Sequence, residues 1–248
     1  EIPLRLVGSE MCIRDRYMKY AAIIAIILSS SFGLYTWMNN PESQMVAVTV
    51  KAGSKAEMAL PDGTFVHLNA ATNLEYDVNN SKQRLVKLSG EAFFDVAKNP
   101  DCPFKVIIND LQIEVVGTSF NVKTYKKDIV ETSLLSGRIR ISGGSLPHEY
   151  TLSPGQKATY SAMDKTLRIS KADAHVEAGW RDNYLIFEST PLIDVIAQIE
   201  RWYGVEIRLH HKQIAQDLLS GSFRNESIQN VIRSLSCLLY TSPSPRDV

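Results

Sequence analysis

One stretch near the start of the chain limits what the rest can be. From Tyr20 to Met38 there is no charged residue, and the centre reads Ala21-Ala22-Ile23-Ile24-Ala25-Ile26-Ile27-Leu28. At about 1.5 Å per residue, a helix of this length just crosses a hydrocarbon core of roughly 30 Å. Tyr17 and Tyr20 flank one end and Tyr35 and Trp37 the other, as interfacial aromatic belts do. Arg14, Arg16 and Lys19 precede the run, whereas Asn39, Asn40 and Pro41 follow it. The positive-inside rule then puts the N-terminus in the cytoplasm and everything beyond Pro41 outside. The expectation is an uncleaved transmembrane helix over 17–40. A cleaved signal peptide is the competing reading, and no convincing A-x-A site follows the run.

Charge is otherwise balanced. Among 248 residues, 27 are Lys or Arg and 27 are Asp or Glu. This argues against a nucleic-acid-binding face and against a polybasic membrane-surface protein. Three cysteines (Cys12, Cys102, Cys237) are too few and too dispersed for a disulfide framework or a zinc ribbon. Residues 1–16 match no structural period, and residues 237–248 interrupt a helical pattern with a Ser/Pro-rich segment. Both are read as adaptor-derived tails, which leaves Cys102 as a partly buried apolar filler.

From Met45 to about Ser170 the dominant period is two, with glycine-based turns. Ala56–Leu60 and Thr64–Asn69 flank Pro61-Asp62-Gly63, a strong hairpin signal because glycine supplies the positive φ that the turn needs. Alternation continues through 84–88, 91–96, 103–108, 111–116, 117–122, 129–135, 138–141 and 156–160. About ten short strands of this kind indicate a sandwich, barrel or solenoid-like all-β body over 45–172. The pattern then changes. Tyr184–Glu188 reads as a strand, with Thr190 as helix N-cap and Pro191 at the first helical position. Leu192, Val195, Ile196, Ile199, Trp202 and Tyr203 form one apolar stripe, and Gly204 ends the helix. Val205–Leu209 alternates again, completing a β-α-β unit. A further strand over 218–223 and an Asn225-capped helix carrying Ile228, Val231, Ile232 and Leu235 extend this small α+β domain, 175–236, which stops as if truncated.

Catalytic signatures are absent: there is no HExxH, GxSxG, P-loop or dinucleotide-binding glycine pattern. His210 and His211 are adjacent, so on a strand they point to opposite faces and make poor joint ligands. The parity of His67 does not settle its burial. Glu91 and Asp95 share one face of a strand, read as solvated. Asp62 is read as a turn residue, Trp180-Arg181 and Arg201-Trp202-Tyr203 as packing groups with snorkelling arginines. Neither an enzyme nor a cofactor is expected. The rival class is a membrane-anchored glycan-binding or adhesion module, which would require Phe93, Phe94 or Tyr125 to face solvent.

Several segments together resemble the FecR family of transmembrane anti-sigma regulators. They are Leu60–Asn69, Leu88–Val96, Pro103–Val106, Gly117–Val122, Leu135–Ile139 and Leu152–Gln156, followed by Leu185-Ile186-Phe187, Pro191-Leu192 and Arg201–Val205. The resemblance implies a periplasmic regulator of an extracytoplasmic-function sigma factor. Its C-terminal domain would dock the signalling domain of a TonB-dependent outer-membrane transducer that reports iron or glycan uptake. It would do so through Phe187, Trp202, Tyr203, Val205, Ile207 and Leu209, with main-chain pairing at a strand edge as one route. The family's sigma-binding segment precedes the membrane helix, where this chain has only the suspect residues 1–16.

Overall fold

The computed structural model describes residues 11–38, 44–78, 84–209 and 212–240. The chain forms two compact units, residues 1–43 and 44–248.

Among the described residues the first unit holds one helix, α1 (Met11–Met38), of 28 residues. It begins inside the segment read as a tail and continues through the apolar run. Its described side chains, 20–35, are exposed on every side. Ser29 and Ser30 turn their hydroxyls back to the carbonyls of Ile26 and Ile27 at 2.9 and 3.0 Å, so neither presents an unmet donor. Among the described residues no helix is long and apolar enough to cross a membrane.

The second unit opens with fourteen strands among the described residues: β1 (Met45–Val50), β2 (Ala56–Ala59), β3 (Phe65–Leu68), β4 (Thr72–Asp77), β5 (Arg84–Ser89), β6 (Glu91–Asp95), β7 (Phe104–Ile108), β8 (Leu111–Val115), β9 (Ser119–Lys123), β10 (Ile129–Ser136), β11 (Ile139–Gly143), β12 (Tyr150–Leu152), β13 (Gln156–Ser161) and β14 (Thr166–Lys171). They build two seven-stranded sheets, ordered β1-β4-β5-β7-β8-β11-β12 and β14-β13-β10-β9-β6-β3-β2. Among the described residues every ladder in them is antiparallel except β5 with β7. The chain crosses between the sheets every one or two strands, and the parallel β5–β7 pair arises where β6 alone visits the second sheet between two hairpins of the first. One core joins both inner faces, with Phe94 of the second sheet meeting Phe104 from the first and stacking on Phe120 of its own sheet. The all-β body is therefore a sandwich. The Asp62-Gly63 hairpin forms as the sequence indicates. Gly63 has φ 83°, and the Asp62 carboxylate accepts from Thr64 N–H at 3.0 Å. Arg84, buried at the sandwich end, ties this turn to the following loop. Its guanidinium lies 3.3 Å from Asp62 and donates to the carbonyls of Ala97 and Cys102, each at 2.7 Å.

A short helix, α2 (Ala174–Ala178), and a 3-10 turn (Gly179–Asp182) lead on to β15 (Tyr184–Pro191), α3 (Leu192–Tyr203), β16 (Leu218–Arg224) and α4 (Ile228–Tyr240). Leu192, Val195, Ile196 and Ile199 bury the expected face of α3, and Gly204 closes it in the left-handed conformation at φ 68°. Three expectations need correction. First, Val205–Leu209 alternates but joins no sheet; the partner of β15 is β16, antiparallel, which makes the arrangement β-α-β-α. Second, Thr190 does not cap α3. β15 continues to Pro191 past a register shift, and the Thr190 hydroxyl folds back to Glu188 O at 3.1 Å. Third, Asn225 does not cap α4. Ser227 Oγ accepts from Asn230 N–H at 3.3 Å, while Asn225 N–H donates to Asn183 O. The helix itself continues through Cys237 to Tyr240. His210, His211 and residues 241–248 lie outside the described residues, as do residues 1–10.

Candidate functional site: the covered outer face of the second sheet

Alternation along β6 sends Ala92 and Phe94 into the sandwich core, which leaves Glu91, Phe93 and Asp95 on the outer face. An outer face ordinarily meets water. Here Glu91 is only 7% and Phe93 only 3% exposed. The cover comes from the segment after the sandwich. Phe93 packs with Ala178 and Trp180, and Leu135 and Trp202 close around them. The Arg181 guanidinium sits 3.6 Å from the Phe93 ring centre. Burial pulls that guanidinium below its ordinary range, against the opposing pull of Asp182 and Asp95. The solvated-face reading of Glu91 is thus overturned, because an element distant in sequence lies across it.

Glu91 is the centre of a polar network. Its carboxylate accepts from Asn69 Nδ2 at 2.8 Å and from Asn121 Nδ2 at 3.0 Å. Asn121 in turn accepts from the Trp180 indole N–H at 3.1 Å, and Asn69 accepts from Ala70 N–H at 2.8 Å. Among the described residues no buried side-chain nitrogen or oxygen lacks a partner. The same tryptophan is gripped from its other side. Lys55 Nζ donates to Trp180 O at 2.6 Å and to Asn183 Oδ1 at 3.0 Å, and lies 3.6 Å from the Trp202 ring centre. Burial lowers the Lys55 ammonium from 10.5 to about 8, with Glu91 pulling the other way.

Beside this network the two cores leave a cleft of about 550 Å³. On its walls Arg201 stacks 4.1 Å from the Tyr125 ring centre, Lys126 meets Asp194 at 2.8 Å, and Lys157 bridges Glu131 and Glu177 at 3.0 and 2.9 Å. Burial and the Glu91 charge hold the Tyr125 hydroxyl above its ordinary range, and it donates to Ala70 O at 2.6 Å. Burial pushes Glu131 upward, but Lys157 and Lys123 outweigh it and hold the carboxyl below its usual value. Lys126 and Lys157 are paired with carboxylates and Arg201 lies over an aromatic ring, so the cleft is a charge-laced joint between two apolar cores. Among the described residues no cluster of His, Cys, Asp and Glu is arranged to hold a metal ion.

Comparison with known proteins supplies the affiliation. The FecR protein family matches residues 46–140 and the FecR C-terminal family residues 184–239. Two crystal structures of a candidate anti-sigma factor from Parabacteroides distasonis ATCC 8503 are similar. One is 30% identical over 79% of this chain and 92% of that chain, with a TM-score of 0.72. The other is 31% identical over 78% of this chain and 91% of that chain, with a TM-score of 0.71. The chain belongs to the FecR family. No curated protein sequence matches it.

The FecR C-terminal region places the expected docking residues unevenly. Phe187 is 2% exposed, inside the second core with Leu185, Val195 and Ile199. Trp202, Tyr203, Ile207 and Leu209 are half-buried against that core, and Tyr203 also donates its hydroxyl to Glu226 O at 2.8 Å. Only Val205 of the six is exposed, at 37%. Nor do Phe93 and Phe94 form the solvent-facing aromatic platform that the glycan-binding reading requires, since both are buried. Glu91 and Asp95 are engaged separately, the latter by Ser119 Oγ at 2.7 Å. His67 is half-buried between Phe65 and Phe93, 3.2 Å from Glu57. The Glu91 network escaped the sequence reading, although one signal pointed to it. Adjacent Phe93 and Phe94 put large apolar rings on both faces of one strand, which requires both faces of the sheet to be covered.

Proposed function

We propose that this FecR-family chain is a membrane-anchored regulator of an extracytoplasmic-function sigma factor, with its bulk in the periplasm. In this reading α1 is the membrane anchor, with Arg14, Arg16 and Lys19 on the cytoplasmic side. The C-terminal region, β15 to α4, receives a signal from the signalling domain of a TonB-dependent outer-membrane transducer. The observation that carries the reading is the order of parts on one chain: a helix with no charged residue from Tyr20 to Met38, then the FecR region, then the FecR C-terminal region. Similarity to a candidate anti-sigma factor over most of both chains supports it. The β15–β16 sheet has only two strands among the described residues, and Leu218 on β16 is 64% exposed. An incoming strand can pair along such an edge through the main chain.

Binding of the full chain in detergent to the purified signalling domain of its transducer tests the receiving role. Saturable binding at micromolar concentration is expected, and no binding at high micromolar concentration refutes it. Alkaline carbonate extraction tests the anchor, since release of the chain into the soluble fraction overturns it.

A further inference from the structure

We propose that the turn at residues 51–55 and the C-terminal turn of α3 form a mechanical joint, which holds the C-terminal region on the sandwich and passes its displacement to β1. The inference deepens the proposed receiving role by naming the element through which a movement of that region leaves it.

The contact is backbone against backbone. Gly53 N–H donates to Arg201 O at 2.8 Å. That carbonyl is one of the last four of α3, which have no partner within the helix; a loop of the sandwich therefore supplies part of the helix cap. The two segments can approach this closely because Gly53 and Gly204, which face each other across the contact, lack side chains. A Cβ on Gly53 would stand 3.2 Å from Tyr203 O, and one on Gly204 would stand 3.1 Å from Ala52 O. Both glycines are also in the left-handed region, at φ 78° and 68°. Two residues further on, Lys55 clamps the same helix end. Its ammonium lies over the Trp202 ring and bonds Trp180 O and Asn183 Oδ1. A cation at a helix C-terminus is also favoured by the helix dipole.

The far side of the joint is β1, which ends at Val50, directly before the turn. Among the described residues β1 is an edge strand, paired with β4 alone. A strand held on one side yields before a central one does. It is also the first strand after α1 in the chain. Movement of α3 thus acts through two backbone contacts and one side chain on the strand that leads back toward α1.

Hydrogen exchange of the full chain in detergent tests the joint without any partner protein, so a failure of docking and a failure of the joint are distinguishable. Lys55→Met keeps an unbranched apolar stem of four heavy atoms and removes the ammonium. Gly53→Ala crowds the backbone contact and leaves Lys55 intact. Both variants are expected to speed exchange about tenfold or more in 51–55, 174–183 and 200–205, with 45–50 following. Amides of the β9–β10 and β15–β16 ladders keep their parental rates. Acceleration confined to the neighbours of residue 55 overturns the proposal. So does a loosened α3 end with β1 unchanged, and so does uniform acceleration of every ladder.

Discussion

Replacing Glu91 with leucine removes a buried carboxylate at nearly constant volume and leaves its two donors in place. The Asn69 and Asn121 amides then face an apolar side chain, in a site where Glu91 is 7%, Asn69 6% and Asn121 2% exposed. Each stranded buried donor costs about 1–3 kcal/mol. Relief of carboxylate desolvation offsets part of this, because burying a charge is itself expensive. The expected net loss is about 3 kcal/mol. For a body of this size, each kcal/mol lowers Tm by roughly 2–4 °C, so thermal unfolding followed by circular dichroism should shift down by about 6–12 °C. Glu91→Gln retains one acceptor but turns an NH2 toward one asparagine NH2. It is expected to lose about half as much. A leucine variant within about 2 °C of the parent would show that the network is energetically neutral. A glutamine variant as damaged as the leucine one would show that charge, and not donor satisfaction, is what matters. Either outcome refutes the argument.

Three further outcomes follow from the same face. Trp180→Phe keeps the ring in its cluster and deletes the donor to Asn121, so urea unfolding should report a loss of about 1 kcal/mol. Glu131 is held below its usual 4.5 in the fold, so its contribution is present above that value and is lost as pH falls through the lower folded value. Glu131→Gln should therefore flatten the acid limb of the stability curve below about pH 4.5, and an unchanged limb would refute the assignment. Lys55 is lowered to about 8 from 10.5, so between those values the unfolded chain binds more protons than the folded one. Parental stability should rise with pH across that window relative to Lys55→Met, and parallel curves would refute it.

The sandwich was legible wherever a strand buries one face and exposes the other. β5, β7, β8 and β11 alternate cleanly, and the Asp62-Gly63 turn announces its own geometry. Four strands were not read: β1, β4, β12 and β14. β1, β12 and β14 lie at sheet edges, and five of the six residues of β14 are exposed, so no apolar alternation marks it. Val205–Leu209 shows the opposite failure. Its alternation is as regular as that of β16, but alternation does not choose a partner, and the strand that pairs with β15 is β16. The candidate site was hidden for a related reason. Whether Glu91 is wet depends on residues 174–202, and no local pattern in β6 records where that segment comes to rest.

That separation in sequence has a consequence in time. During synthesis β3, β6 and β9 all emerge before Trp180, so Asn69, Glu91 and Asn121 can pair with the outer face of their sheet still in water. Trp180 and α3 follow Asn121 out of the ribosome by about 3–16 s at 5–20 residues per second. For that interval Phe93 is an exposed aromatic ring on a growing chain, flanked by Glu91 and Asp95. Two carboxylates beside one ring discourage neighbouring chains from pairing there. The charge that the finished protein buries thus has an earlier use, as a guard on the unfinished one.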